Sequence, residues 1–207
     1  MAKLTMTSFV TLDGVMQAPG GPREDTTGGF THGGWFIPLA GPELGEFIVG
    51  VFARAGAFLL GRRTFETFAG HWPRITDPGD PVAGPLNRLP KYVASRTLDR
   101  ADWKGTTILR DPVAEIPRIL RELGERELQI HGSPGLAQTL LQHGLVDELH
   151  LVLAQVTLGS GQKRLFAEGT VPAAFALAGS RITANGLAIL TYRPTGKPAY
   201  GDATLKD

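Results

Sequence analysis

Apolar positions along the chain switch between two spacings, and the switches divide it into helices and strands. Between Pro42 and Ala55, the residues Leu44, Phe47, Ile48, Val51, Phe52 and Ala55 recur at helical spacing and build one apolar face. Pro42 suits the first helical position, and Glu43 and Glu46 favour the positive end of the helix dipole. Ala57-Phe58-Leu59-Leu60 then runs without a polar break up to Gly61, as a strand buried on both faces does. Leu128 to His131 alternates, and Glu148 to Val156 places Leu149, Leu151 and Leu153 at period two, so both read as strands. Ser133 to His143 is predicted helical, with Leu136, Ala137, Leu140 and Leu141 on one side and Gly144 as its stop. Pro112 to Leu123 presents Ile116, Ile119, Leu120 and Leu123 in the same manner. Pro117 removes a backbone donor there, so that helix is expected to begin or bend at the proline.

Read in order, the elements are strand, long loop, helix, strand, short helix, loop, two strands, helix, strand, helix and three closing strands. Strand–helix alternation predicts an α/β fold with a mostly parallel sheet, and the strand-rich end predicts antiparallel closure of one edge. Two connections are long for a compact domain: Thr11 to Gly41, rich in glycine, and Gly70 to Leu89, with Pro73, Pro78, Pro81 and Pro85. Such loops serve as binding loops or as tolerated surface insertions. The 207 residues are expected to form a single domain over residues 1–193, with a polar tail over 194–207.

Composition narrows the function. Twenty-one basic against 20 acidic side chains leave a formal charge of +1, with no basic block of the kind nucleic-acid binding needs. The chain has no cysteine, which excludes disulfides, zinc–thiolate sites and a cysteine nucleophile. The five histidines, His32, His71, His131, His143 and His150, show no metal-ligand spacing, and no metal is expected. Thr5, Thr7 and Ser8 interrupt the N-terminal apolar residues, and no segment approaches a membrane span. A soluble, cytoplasmic protein is expected.

Three segments carry candidate chemistry. In Leu60-Gly61-Arg62-Arg63-Thr64 a strand ends at a glycine, two guanidinium groups follow, and a hydroxyl stands where the next helix starts. Open amides at a helix start attract anions, and arginine forks match phosphate; a capped helix with two solvated arginines accounts for the same residues. Ile130-His131-Gly132-Ser133-Pro134-Gly135-Leu136 repeats the strand, small-residue turn and helix, which fits a diphosphate cradle or an ordinary tight turn. Lys91-Tyr92-Val93-Ala94-Ser95-Arg96 is a strand with a polar carboxyl end. Ligands of open α/β sheets gather beyond the carboxyl ends of strands, so the three segments are expected to converge. Asp13-Gly14 after the first strand reads as a turn or as an acid, and Asp147-Glu148 as a solvated turn.

The order of these motifs resembles the dihydrofolate reductase superfamily, in the branch containing the reductase domain of the riboflavin-pathway deaminase-reductase. Leu12-Asp13-Gly14-Val15, Leu60 to Glu66, Val93-Ala94-Ser95-Arg96, Gly132 to Leu136, Val146 to Leu149 and Gly159 to Phe166 carry the likeness, over roughly residues 3 to 193. The resemblance implies a three-layer α/β/α sandwich around one mixed sheet, an NADPH cofactor and, as is common in that branch, a homodimer. It places Arg62 and Arg63 at the 2′-phosphate, with Gly61 and Thr64 near the diphosphate. Ser95 and Arg96 then flank the adenosine ribose phosphate. Gly132, Ser133, Gly135 and Leu136 meet the diphosphate and the nicotinamide side, and the loop from Asp13 to Met16 covers the nicotinamide. The acid that holds a pterin in folate-reducing members falls at Gly45 by gapless counting, with Glu46 adjacent.

The reading is an NADPH-dependent reductase acting on a small heterocyclic or carbonyl-like substrate bounded by the two long loops. Asp13 and Glu46 are the candidates for proton handling, and desolvation beside a nicotinamide is expected to raise the pKa of such an acid. The alternatives are the reductase of the riboflavin-pathway ribosylaminopyrimidine phosphate and a nucleotide-binding or regulatory module without catalysis. Without cysteine, the chain has no place for the zinc motif of the deaminase half.

Overall fold

Strand β1 (Leu4–Thr11), buried along nearly its whole length, lies near the middle of an eight-stranded sheet. The computed structural model describes residues 1–203. After β1 come α1 (Pro42–Ala53), β2 (Ala55–Gly61), α2 (Arg62–His71), α3 (Ala83–Arg88), β3 (Lys91–Ala94) and β4 (Thr106–Leu109). They are followed by α4 (Pro112–Leu123), β5 (Glu127–His131), α5 (Pro134–Gln142), β6 (Glu148–Ala154), β7 (Ala174–Ile182) and β8 (Ala188–Gly196). The strand order is β4-β3-β2-β5-β1-β6-β8-β7. The first six run parallel, while β8 pairs antiparallel with both β6 and β7.

Period-two alternation gives each central strand two faces, and helices cover both. On one face Leu4, Met6, Leu59, Leu128 and Ile130 pack with Ile116 and Ile119 of α4 and Ala137 and Leu140 of α5. On the other, Phe58, Leu60 and Val93 meet Val51 and Phe52 of α1 and Phe65 of α2. The result is the three-layer α/β/α sandwich. No helix among the described residues is long and apolar enough to cross a membrane.

Four expectations need correction. The connection after Gly70 is not structureless: α3 lies within it, its first amides bonded to Asp80 Oδ1 at 2.7–2.9 Å, with Pro85 tolerated in the first turn. Helix α4 begins at Pro112 rather than at Pro117, because Asp111 Oδ1 accepts the Ala114 amide at 3.1 Å and nucleates the turn upstream. Asp147 and Glu148 are structural: Asp147 accepts the Leu4 amide at 2.8 Å, and Glu148 pairs with Arg193 at 3.0 Å. The tail does not start at Pro194, since β8 runs to Gly196, with Pro194 in register with Phe175. Residues 204–207 of the expected tail lie outside the described residues.

The sheet face beneath α1 is polar. Thr7 stands in register with His131 on one side and His150 on the other, and one row down Thr5 faces Gln129 and Glu148. Glu127 accepts from Arg54 Nε at 2.6 Å, Gln129 Nε2 at 2.7 Å and the Thr5 hydroxyl at 3.1 Å. Burial pushes its carboxyl up, and these donors together hold it below its ordinary value. The His131 ring stacks on Phe52 at 4.6 Å, and burial lowers its pKa to about 4.

Between pH 6.5 and 4 the unfolded chain protonates this imidazole and the folded chain does not, so acid lowers stability by up to about 3 kcal/mol across that window. Denaturant unfolding at stepped pH should therefore show a weaker acid dependence in His131→Gln. An unchanged slope would assign the loss to other groups.

Candidate active site

β2 and β5 are adjacent parallel strands, and their carboxyl ends deliver the two glycine turns to one place. After His131 the chain passes through Gly132 at φ +66° and Ser133 at φ +61° before α5 begins. A non-glycine residue in the left-handed region is strained by roughly 1 kcal/mol or more. Here the side chain has work to do: Ser133 Oγ accepts the Gly61 amide at 2.9 Å and donates to Thr64 Oγ1 at 2.8 Å. The turns thus share one hydroxyl, and the Thr64 hydroxyl proton remains available to an incoming acceptor.

The N-cap residues Gly61 and Ser133 make no side-chain cap bond to the first turns of their own helices, α2 and α5. Pro134 opens α5 without an N–H, which leaves the Gly135 and Leu136 amides as the orphan donors of its first turn. A Cβ on Gly61 would stand 3.2 Å from Ser133, so a larger residue there would press on Ser133 and push the two turns apart by a few tenths of an ångström unless Ser133 gave way.

The third segment joins through α2. Arg62 Nη1 donates to Thr97 Oγ1 at 2.8 Å, tying the start of α2 to the loop after β3, while Arg62 Nε pairs with Glu66 Oε1 at 2.7 Å. The Ser95 hydroxyl shapes that loop by accepting the Leu98 amide at 3.0 Å. Arg63 and Arg96 are exposed and, among the described residues, have no hydrogen-bonding or ionic partner. The structure therefore brings together Gly61, Arg62, Thr64, Gly132 and Ser133 directly, with Gly135 and Leu136 on α5 and the Ser95–Arg96 loop joined through Thr97. Sequence reading missed Glu66 and Thr97. Glu66 was legible as a carboxylate four residues after Arg62 on one helix, whereas the Thr97 contact exists only in the folded chain.

The two candidates for proton handling, Asp13 and Glu46, are each bonded to other groups of the chain. Asp13 is held below its ordinary pKa, foremost by the Thr11 hydroxyl at 2.6 Å and then by the Gly159 amide at 2.9 Å and that of Leu158. That is the reverse of the expected rise, because its oxygens accept donors rather than face an apolar wall. Glu46 lies on the exposed side of α1 and accepts from Arg181 of β7 at 3.2 Å. Asp13 instead secures a seam. Its carbonyl accepts from Arg164, Val15 bridges Arg164, Lys163 pairs with Asp25, and Gln17 Oε1 accepts the Gln162 amide at 3.0 Å. The first long loop is thereby sewn to the segment Gly159–Phe166. The second long loop faces elsewhere: Gly70, Pro73 and Asn87 line, with Phe65 and Trp103, a cleft of about 720 Å³ along the flank of α2. Among the described residues no three His, Asp or Glu side chains group as a metal site.

The eight-stranded, mostly parallel sheet with an antiparallel edge and helices on both faces is a dihydrofolate-reductase-like α/β domain. The chain belongs to the RibD C-terminal domain family, which residues 2–189 match. It is 25% identical over 189 residues to the uncharacterized protein YyaP of Bacillus subtilis (strain 168), covering 90% of this chain and 92% of that one. Its fold is similar to that of a protein assigned to riboflavin biosynthesis in Shewanella sp. PV-4, with a TM-score of 0.71 at 20% identity, over 94% and 99% of the two chains. It is also similar to dihydrofolate reductase from Enterococcus faecalis complexed with NADP(H), with a TM-score of 0.57 at 16% identity, over 93% and 96%.

The shared hydroxyl gives a direct test. Ser133→Ala leaves the Gly61 amide and Thr64 without their partner, and chemical denaturation should show a loss of about 1–3 kcal/mol. A loss no larger than that of an exposed serine would mean that the two turns are held by other contacts.

Proposed function

We propose that this chain is an NADPH-dependent oxidoreductase that passes hydride to a small heterocyclic or carbonyl-like substrate. One observation carries the reading: two helix starts, fastened by Ser133 and without a side-chain cap from their own N-cap residues, present first-turn amides at neighbouring carboxyl strand ends. That is the chemistry a diphosphate needs, with backbone donors, helix dipoles and no side-chain bulk. Family membership and the NADP(H)-bound dihydrofolate reductase of like fold support the same cofactor class.

Gly61, Thr64, Gly132, Ser133, Gly135 and Leu136 would hold the diphosphate and the nicotinamide side. Arg62 and Arg63 would face the 2′-phosphate, and Ser95 and Arg96 the adenosine ribose. The cofactor, when bound, supplies the hydride. The chain supplies position and water exclusion, the latter through the sewn loop around Asp13 to Met16. With Asp13 ionised by its donors and Glu46 bound to Arg181, the proton that completes the reduction is drawn from solvent or from the substrate.

An unphosphorylated substrate is favoured over the ribosylaminopyrimidine phosphate. Lys163 and Arg164, the cations of the segment beside that loop, are committed to Asp25 and to the Asp13 carbonyl. Titration of NADPH and NADH by calorimetry and tryptophan fluorescence should give saturable binding, tighter for NADPH. Replacing Arg62 and Arg63 together by alanine should weaken NADPH far more than NADH. No saturable NADPH response would remove the reading, and equal losses would remove the 2′-phosphate assignment.

A further inference from the structure

In the proposed reading, the loop between β1 and α1 covers the nicotinamide side. Resting on that reading, we infer that the cover is preassembled: the loop holds its binding conformation before a cofactor arrives, and Gln17 is the positioning residue that keeps it there.

Gln17 lies one residue past the Asp13–Met16 turn and is buried. Its side-chain Nε2 donates both protons, to the carbonyls of Asp25 at 3.1 Å and Thr27 at 2.9 Å. Its Oε1 accepts the Gln162 amide at 3.0 Å. Two carbonyls and one N–H admit a single orientation of the side-chain amide, and asparagine offers the same groups one methylene short. The Gln17 carbonyl adds a fourth bond, from Trp35 Nε1 at 2.8 Å. One residue thereby joins the middle of the loop, its far end and the segment Gly159–Phe166. The largely exposed stretch from Gly20 to Gly29 is tied inward through this residue and through the Lys163–Asp25 pair.

The order of the loop draws on its own residues. Val15, Ala18 and Phe30 form a buried cluster, with Trp35 and Leu158 packed against it. Ala18 sits at φ +49°, a left-handed conformation that a non-glycine residue keeps only where its neighbours impose it, and its carbonyl accepts the Gly34 amide at 2.8 Å. At Gly33 a Cβ would stand 2.5 Å from the Gly21 carbonyl oxygen, so the two arms of the loop lie too close for a side chain between them. A loop with its own apolar cluster and its own strained turn gives up its freedom when the chain folds, not when a ligand binds. A cofactor that meets an ordered cover binds with its intrinsic affinity. One that must first order the cover loses affinity in proportion to the fraction of molecules not yet competent.

Amide hydrogen exchange, measured on the protein alone and saturated with NADPH, tests the inference. The Met16, Gly34 and Phe36 amides, bonded to the carbonyls of Lys163, Ala18 and Pro19, should be protected in the cofactor-free protein and change little with NADPH. Rapid exchange at these amides that NADPH abolishes overturns the preassembly. Gln17→Met keeps the length of the side chain and removes its three bonds. Gln17→Glu keeps the acceptor for Gln162 and sets an oxygen against two carbonyls. In both variants the protection of these amides should fall and become NADPH-dependent, while that of β1 and β5 stays at the parental level. NADPH should bind about tenfold more weakly to them by calorimetry, whereas adenosine 2′,5′-bisphosphate, which ends short of the nicotinamide, should bind within about twofold of the parent. Equal weakening of both ligands, or parental protection of the loop in both variants, overturns the role of Gln17. If the parent binds neither ligand, the cofactor reading fails, and exchange in the free parent and variants still decides whether the loop is preassembled and whether Gln17 holds it.

Discussion

A single hydroxyl, on Ser133, fastens the start of α2 to the start of α5, and the candidate site depends on that fastening. Each helix start alone is an ordinary anion-attracting end. Two of them at the carboxyl ends of neighbouring parallel strands make a bidentate surface, provided that they do not drift apart. The Gly61 amide, the Ser133 hydroxyl and Thr64 Oγ1 set that separation. The cost is a serine in the left-handed region, which the surrounding sheet holds because β5 is buried on both faces.

Beneath α1 the sheet makes a different compromise. A purely apolar face would pack α1 more simply, yet the row Thr7, His131 and His150 and the cluster around Glu127 place polar groups there. The imidazoles are neutral because water is excluded, and Glu127 is ionised because Arg54, Gln129 and Thr5 all donate to it. The donors and acceptors are nearly balanced, with the His150 Nε2 atom an exception. Such a layer specifies one register of helix on sheet more sharply than an oily contact, since a shift would strand several partners at once.

Much of the architecture was legible because apolar spacing is a local signal. Leu44 to Phe52 marked α1, Ala57 to Leu60 marked β2, and the glycines at 61 and 132 marked the ends of buried parallel strands. What sequence reading missed depended on contacts remote in the chain or on local competition. Asp80 nucleates α3 inside a proline-rich stretch that looked irregular, and Asp111 starts α4 before its proline. The partners of Asp13 and Glu46 were only partly legible: Thr11 stands two residues from Asp13, but the amides at 158 and 159 and Arg181 of β7 come from far along the chain. Arg62 and Arg63 looked alike because nothing in the sequence reveals that Thr97 stands within reach of one of them.

The seam between the first long loop and the segment around Gly159 to Phe166 bears on how the chain acquires its shape. Asp13 meets Leu158, and Gln17 meets Gln162, across a separation of 145 residues in each case. Contacts of such high order form late, after the entropy of closing a long loop has been overcome. A ribosome-bound chain that has emerged only through β5 would therefore hold its first strand without the partner that orders the following loop. The loop that covers the nicotinamide side in the proposed reading can therefore make these contacts only once synthesis has passed Phe166.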